Sequence, residues 1–180
     1  MSPASSPVVL VLASGKGERF VASGGKGSKL QALLAGKPVL EHTLAAVRAS
    51  GLPFHVEDAG HPGMGDSIAA GVRATIDAGG WLVLPGDLPL VAPASLRSVA
   101  QALAQASVVL PMHRGTRGHP VGFGVEHRDA LAALSGAEGA AAIVRGASPL
   151  RLEIEDPGIV TDIDTVDDLA RAERLLVRSG

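Results

Sequence analysis

Two runs constrain this chain more than any other feature: VVLVL at residues 8–12 and WLVL at residues 81–84 are apolar at every position. A strand with one wet face alternates polar and apolar side chains, whereas a strand covered on both faces does not, and two-sided cover is the condition of parallel sheets. Further strand candidates are FHVED, SVVLPM, HPVGFGV, LRLEIE and GIVTDI. No period repeats along the chain.

Helical patterns with readable ends lie between these runs. Residues 38–50 read as a helix stopping at Gly51, and Asp66 is expected to cap a helix on which Ile68, Val72 and Ile76 share a face, ending at Gly79 and Gly80. Pro93 opens a third helix, buried through Leu96, Val99 and Leu103. The last begins at TVDD, where Thr165 and Asp168 can form a capping box and Leu169, Ala172 and Leu176 make an apolar stripe. This alternation predicts an α/β fold, a three-layer α/β/α sandwich around a mostly parallel sheet with crossovers of one hand. Ligands of such sheets bind beyond the carboxyl ends of the strands.

At 180 residues the chain is expected to form one domain over 1–180, with 1–6 as a flexible tail. Aromatic residues make up only 2%, so the interior must be aliphatic. A net charge of -2 without blocks of like charge argues against nucleic acid and anionic membranes as partners. The absence of cysteine removes disulfides and thiolate metal sites, and no apolar run is long enough for a signal core or a spanning helix. A cytoplasmic protein is expected.

The first strand runs into LASGKGERF, residues 12–20. Glycine turns after strands offer backbone N–H groups in a concave nest that suits phosphate. A dinucleotide fingerprint requires glycine where Phe20 stands, and a P-loop requires Gly-Lys-Ser/Thr, whereas Lys16 precedes Gly17 and Lys37 precedes Pro38. Lys16, Arg19 and Lys29 supply the cations a triphosphate needs. Residues 21–36 form a glycine- and lysine-rich segment longer than a usual βα loop.

Two acidic signals follow. In WLVLPGDLP, Asp87 sits in a tight turn directly after a buried strand, where a carboxylate can hold Mg²⁺. The alternative for a lone Asp after Gly is a helix cap or Asx turn. In TDIDTVDDL, Asp167 and Asp168 fall in the first helical turn and serve its dipole, leaving Asp164, and behind it Asp162, as the second carboxylate. His119, between Gly118 and Pro120, reads as a loop histidine bonding to backbone rather than a general base.

These residues, in this order, resemble the nucleotidyltransferases of the molybdenum-cofactor family, and its cytidylyltransferase branch most closely. LASGKGERF, SKL, GKPVLEHTL, GMGDSIAAGV, PGDLP, RGHPVGF, GAEGAAAIV and TDIDTVDDL carry the likeness over nearly the whole chain. Ser14 stands where the cytidylyl pattern has a second Ala and guanylyl relatives have Gly. GDLP replaces the more usual ADMP and is similar to the guanylyl and sugar-nucleotide branches.

The resemblance implies the Rossmann-like nucleotide-diphospho-sugar transferase fold and transfer of CMP from CTP to the terminal phosphate of a molybdopterin-type cofactor. It implies that Gly15, Lys16, Gly17, Arg19 and Lys29 hold the triphosphate, with Leu12, Ala13, Ser14, Pro85 and Gly86 beside the nucleotide. Gly63, Met64, Gly65 and Ser67 would border base and ribose. Asp87 and Asp164 would share Mg²⁺, with Lys16, Arg19, Lys29 and Asp87 as the catalytic set. Arg117, His119, Glu138 and Gly139 would border the phosphorylated pterin acceptor, and a molybdoenzyme or its maturation chaperone would be the downstream partner. Rival readings are a guanylyltransferase or a transferase for another phosphorylated acceptor, a non-catalytic cofactor-binding maturation protein, and an NAD-dependent reductase, which Phe20 disfavours.

Overall fold

The computed structural model describes residues 5–179. In chain order the elements are β1 (Val8–Leu12), α1 (Glu18–Ala22), β2 (Leu33–Leu34), β3 (Lys37–Pro38), α2 (Val39–Ser50), β4 (Phe54–Glu57), α3 (Met64–Ala74) and β5 (Gly80–Pro85). There follow α4 (Pro93–Ala102), β6 (Val108–His113), β7 (Thr116–Arg117), β8 (Val121–Gly124), α5 (Arg128–Ala132), α6 (Ala141–Gly146), β9 (Leu150–Glu153) and α7 (Val166–Ser179).

Seven strands form one sheet in the order β4-β1-β5-β8-β6-β7, with β9 also on β6, while β2 and β3 pair as a separate hairpin. β4, β1, β5, β6 and β9 run one way, and β8 and β7 run against them. The sheet is thus mixed and mostly parallel, as expected. Alternation along β1 splits the core into two layers. Val9 and Val11 pack with Leu44 and Val47 of α2 and Leu96 and Val99 of α4, whereas Leu10 faces Ile68 and Val72 of α3, Trp81 and Phe123. The two-sided burial read from VVLVL and WLVL is the physical cause of these three layers.

α7 belongs to neither layer. Its Ala172, Leu169 and Leu176 pack with Phe20, Leu34, Val39 and Ile163, which ties the last helix to the segment after β1. The predicted capping box forms, with Thr165 N–H donating to Asp168 Oδ2 at 2.8 Å and Asp168 N–H to Thr165 Oγ1 at 3.2 Å.

Some expectations are corrected. GIVTDI is not a strand: Pro157–Val160 is a 3-10 turn, because Asp156 accepts the Gly158 N–H at 2.8 Å and ties the N-terminus of α4 through Ala92 and Ser95. Asp66 does not cap α3; Gly63 stands at that position, and Asp66 instead accepts the Gly136 N–H at 3.0 Å. Ile76 lies beyond the helix and is exposed, since α3 ends at Ala74. Residues 1–4 of the expected tail lie outside the described residues, and the Ser6 carbonyl accepts the Gly79 N–H at 3.3 Å. Among the described residues no helix is long and apolar enough to cross a membrane.

Candidate active site

β1 and β5 pair in parallel with Leu12 against Pro85, so the turns that follow them emerge together at one edge of the sheet. β1 sends its next connection to β4 on one side and has β5 on the other, the arrangement that opens a crevice in such sheets. Backbone bonds lock both turns. Gly86 N–H donates to the Leu12 carbonyl and Ala13 N–H to the Glu57 carbonyl, each at 2.9 Å. Thr43 of α2 donates its hydroxyl to the Gly86 carbonyl at 2.8 Å. Gly17 occupies the left-handed region at φ 62°, which favours glycine, and starts α1.

A cavity of about 350 Å³ opens here, lined by Leu12, Ser14, Gly15, Lys16, Lys29, His61, Gly63, Met64, Ser67, Pro85, Gly86 and Asp87. Gly17 and Arg19 border the adjoining groove with Lys29 and Asp164. Ala13 and Gly65 are not among the residues lining the first cavity; the Gly65 N–H donates to the Gly136 carbonyl at 2.8 Å. On the far side of Asp87 a second cavity of about 390 Å³ is bordered by Arg117, His119, Asp162 and Asp164. A third of about 280 Å³ adds Glu138 and apolar side chains of α3, β5, β6, β8 and α6. Gly139, at φ 60°, sits against Met64, which borders all three cavities.

The charged centre joins residues far apart in sequence. Lys29 Nζ lies 2.6 Å from Asp87 Oδ2 and 2.9 Å from Asp164 Oδ1, and an Arg19 guanidinium nitrogen lies 2.9 Å from Asp164 Oδ2. Burial works against the Lys29 charge, but Asp87 and then Asp164 outweigh it and hold its pKa above the ordinary value. Burial likewise pushes the Asp164 carboxyl up, and Lys29 and Arg19 outweigh it in the other direction. Asp162 is raised, by burial first and then by the neighbouring charges of Asp164 and Asp87. His119 is lowered by burial, against the opposing pull of Asp87 and a hydrogen bond to the Val83 backbone.

The donor set suits a hard divalent cation. Carboxylate oxygens of Asp87, Asp162 and Asp164 lie within 4.8 Å of one another, and Asp87 Oδ1 is buried without a hydrogen-bond partner. Oxygen ligands of this number and charge are what Mg²⁺ and Mn²⁺ prefer. Sequence reasoning passed over His61, which lines the first cavity, and over Glu57, which holds it; the signal was the Gly-His-Pro turn directly before GMGDS.

Residues 43–153 match the MobA-like NTP transferase domain family, more than half of the chain. No curated protein sequence matches. Among solved structures, Rv0371c of Mycobacterium tuberculosis H37Rv is similar at 23% identity and TM-score 0.80, over 96% of this chain and 99% of that one. Rv0371c has also been solved in complex with manganese. A nucleotidyl transferase of Methanothermobacter is similar at 23% identity and TM-score 0.80, covering 97% and 99%. Molybdopterin-guanine dinucleotide biosynthesis protein A of Archaeoglobus fulgidus follows at 21% identity and TM-score 0.70, covering 95% and 99%.

Proposed function

This chain belongs to the MobA-like NTP transferase family and is a nucleotidyltransferase; from that premise we propose that it moves CMP from CTP to the terminal phosphate of a molybdopterin-type cofactor, releasing pyrophosphate. The observation that carries this reading is the meeting of Lys29, Asp87, Asp162 and Asp164 between a glycine-lined cavity and a second cavity bordered by Arg117 and His119.

A terminal phosphate oxygen of the acceptor attacks the α-phosphorus in line, and the bond from that phosphorus to pyrophosphate breaks. Phosphoryl transfer of this kind asks the protein for positioning and charge. Ser14, Gly63, Met64 and Ser67 would flank the nucleoside, while Gly15, Lys16 and Gly17 cradle the phosphates. Lys16, Arg19 and Lys29 would stabilise the departing pyrophosphate. Asp87 and Asp164, with Asp162 beside them, would hold Mg²⁺, which when bound neutralises charge across the phosphates. Arg117 would attract the acceptor phosphate, with Glu138 and Gly139 at the rim. His119, half-buried and with its pKa lowered by desolvation, would orient the acceptor rather than take a proton, since a phosphate nucleophile is already ionised.

Pyrophosphate release with CTP, GTP and Mg²⁺, with and without the pterin acceptor, tests the reading. Acceptor-dependent release with CTP is expected. Release with GTP instead would make the chain a guanylyltransferase, and binding without release would make it a non-catalytic carrier.

A further inference from the structure

The first cavity has a second polar grouping, centred on Glu57 at the end of β4, of which the roles above use only Ser14. Glu57 is buried, and its carboxylate accepts from the Ala59 N–H at 3.3 Å, from His61 Nε2 at 3.0 Å and from His55 Nε2 at 3.3 Å. Its backbone carbonyl accepts both the Ala13 N–H at 2.9 Å and the Ser14 hydroxyl at 3.2 Å. One residue therefore fixes Ser14 and His61, and both line the cavity of about 350 Å³.

The donors and acceptors left over follow from these bonds. An ionised carboxylate only accepts, so the proton of a neutral His61 ring sits on Nε2 and Nδ1 keeps a lone pair. A serine hydroxyl has one proton, and Ser14 donates it to the Glu57 carbonyl, leaving acceptor lone pairs. Both side chains line the one cavity, and with these bonds made each keeps an acceptor lone pair and no side-chain proton to donate to a ligand.

We propose that Ser14 and His61, held by Glu57, form an acceptor-only edge that reads an exocyclic amino group on the nucleobase. The inference rests on the nucleotide reading above and adds to it a rule of selection. Cytosine and guanine carry such an amino group; uracil and hypoxanthine present a carbonyl or a bare carbon in its place. A base that offers lone pairs or nothing to this edge leaves its acceptors unpaired, which costs about one hydrogen bond, or about tenfold in affinity.

Isothermal titration with CTP against UTP and GTP against ITP, in mildly alkaline buffer with Mg²⁺, compares each amino-bearing nucleotide with its deaminated counterpart. Pyrophosphate, which has no base, serves as the reference ligand. The wild type is expected to prefer CTP over UTP, or GTP over ITP, by about tenfold or more. His61→Ala brings that ratio close to one by weakening the amino-bearing nucleotide, while pyrophosphate still binds. His61→Phe keeps the bulk of the ring without its nitrogens and gives the same loss where the alanine variant fails to fold. His61→Asn, whose amide oxygen is again an acceptor, retains part of the preference. Equal affinities in the wild type, or a ratio that survives in both His61→Ala and His61→Phe, would overturn the inference while leaving the nucleotide reading intact. Failure of every nucleotide to bind would overturn both.

Discussion

Lys29 and Asp87 meet end to end, with Nζ 2.6 Å from Oδ2, although one lies in the glycine-rich segment after α1 and the other in the turn after β5. Both side chains are largely buried, at 12% and 13% exposure, and Asp164 completes the pairing at 2.9 Å. The Lys29 ammonium, with the Arg19 guanidinium 2.9 Å from Asp164, offsets the carboxylate charge gathered at this edge of the sheet.

Removing that ammonium leaves the largely buried Asp87 carboxylate without its partner and facing the partly buried Asp164. Lys29→Met is expected to destabilise the metal-free protein by about 3 kcal/mol, the usual cost of breaking a buried pair from one side. Adding Mg²⁺ or Mn²⁺ should then raise the melting temperature more in the variant than in the wild type, because the divalent ion supplies the missing charge. Thermal denaturation in chelator and in metal measures both effects, and equal metal-induced shifts in the two proteins would contradict the carboxylate assignment.

Asp87→Asn keeps the shape of the side chain and the turn around it, whose carbonyl accepts the Ile163 N–H at 3.0 Å. It removes a charge from the proposed cation site. Pyrophosphate release is expected to fall by about a hundredfold or more, the scale on which single electrostatic groups act in such sites. The circular dichroism spectrum should be unchanged. Undiminished release would show that Asp87 does not hold the metal.

The turn that aims Asp87 leaves little room for a side chain at Gly86. A Cβ on Gly86 would lie 2.9 Å from Leu40 Cδ1 and 3.0 Å from the Leu12 carbonyl. Gly86→Ala is therefore expected to cost about 1–3 kcal/mol and to lower kcat more than it raises KM, since crowding here displaces the carboxylate. Thr43→Val removes the hydroxyl that reaches the Gly86 carbonyl at 2.8 Å, at a cost of about 1 kcal/mol, and Thr43→Ser should restore it. Steady-state kinetics beside denaturation curves separates these outcomes from a purely structural role.

Much of the fold was legible because burial on both faces writes itself into consecutive positions, as in residues 8–12 and 81–84. The capping box at Thr165 was legible for a similar reason, since both partners lie within one turn. GIVTDI failed because an apolar run does not reveal that Asp156 and Pro157 bend it into a 3-10 turn. The acidic centre could be nominated residue by residue but not assembled: Lys29 and Asp164 stand 135 positions apart, and no local pattern states that they touch. Phe20 looked like a missing glycine in a dinucleotide turn, whereas its ring is a core side chain under α7 that fills the space beside Gly25. His61 was overlooked because its role depends on Glu57, four residues earlier on a different element, and a lone histidine in a turn carries no such mark.

Glu57 gives a prediction in pH. Burial pushes its carboxyl up, but hydrogen bonds from His55 and His61, and then from the Ala59 amide, outweigh burial and hold it below the ordinary carboxylate value. A group whose pKa is depressed by folding contributes stability above its unfolded pKa and loses that contribution as the pH falls through the folded value. Glu57→Gln keeps the backbone carbonyl that receives Ala13 and Ser14, so the substitution isolates the carboxylate. At neutral pH the variant should be less stable than the wild type by about 1 kcal/mol. As the pH falls below the ordinary carboxylate range the wild-type carboxyl takes up its proton, and the two denaturation midpoints should converge. Urea titrations across that range measure the gap directly. A gap that stays constant to the most acidic condition at which both proteins remain folded would mean that Glu57 holds its histidines by shape and neutral hydrogen bonds rather than by charge.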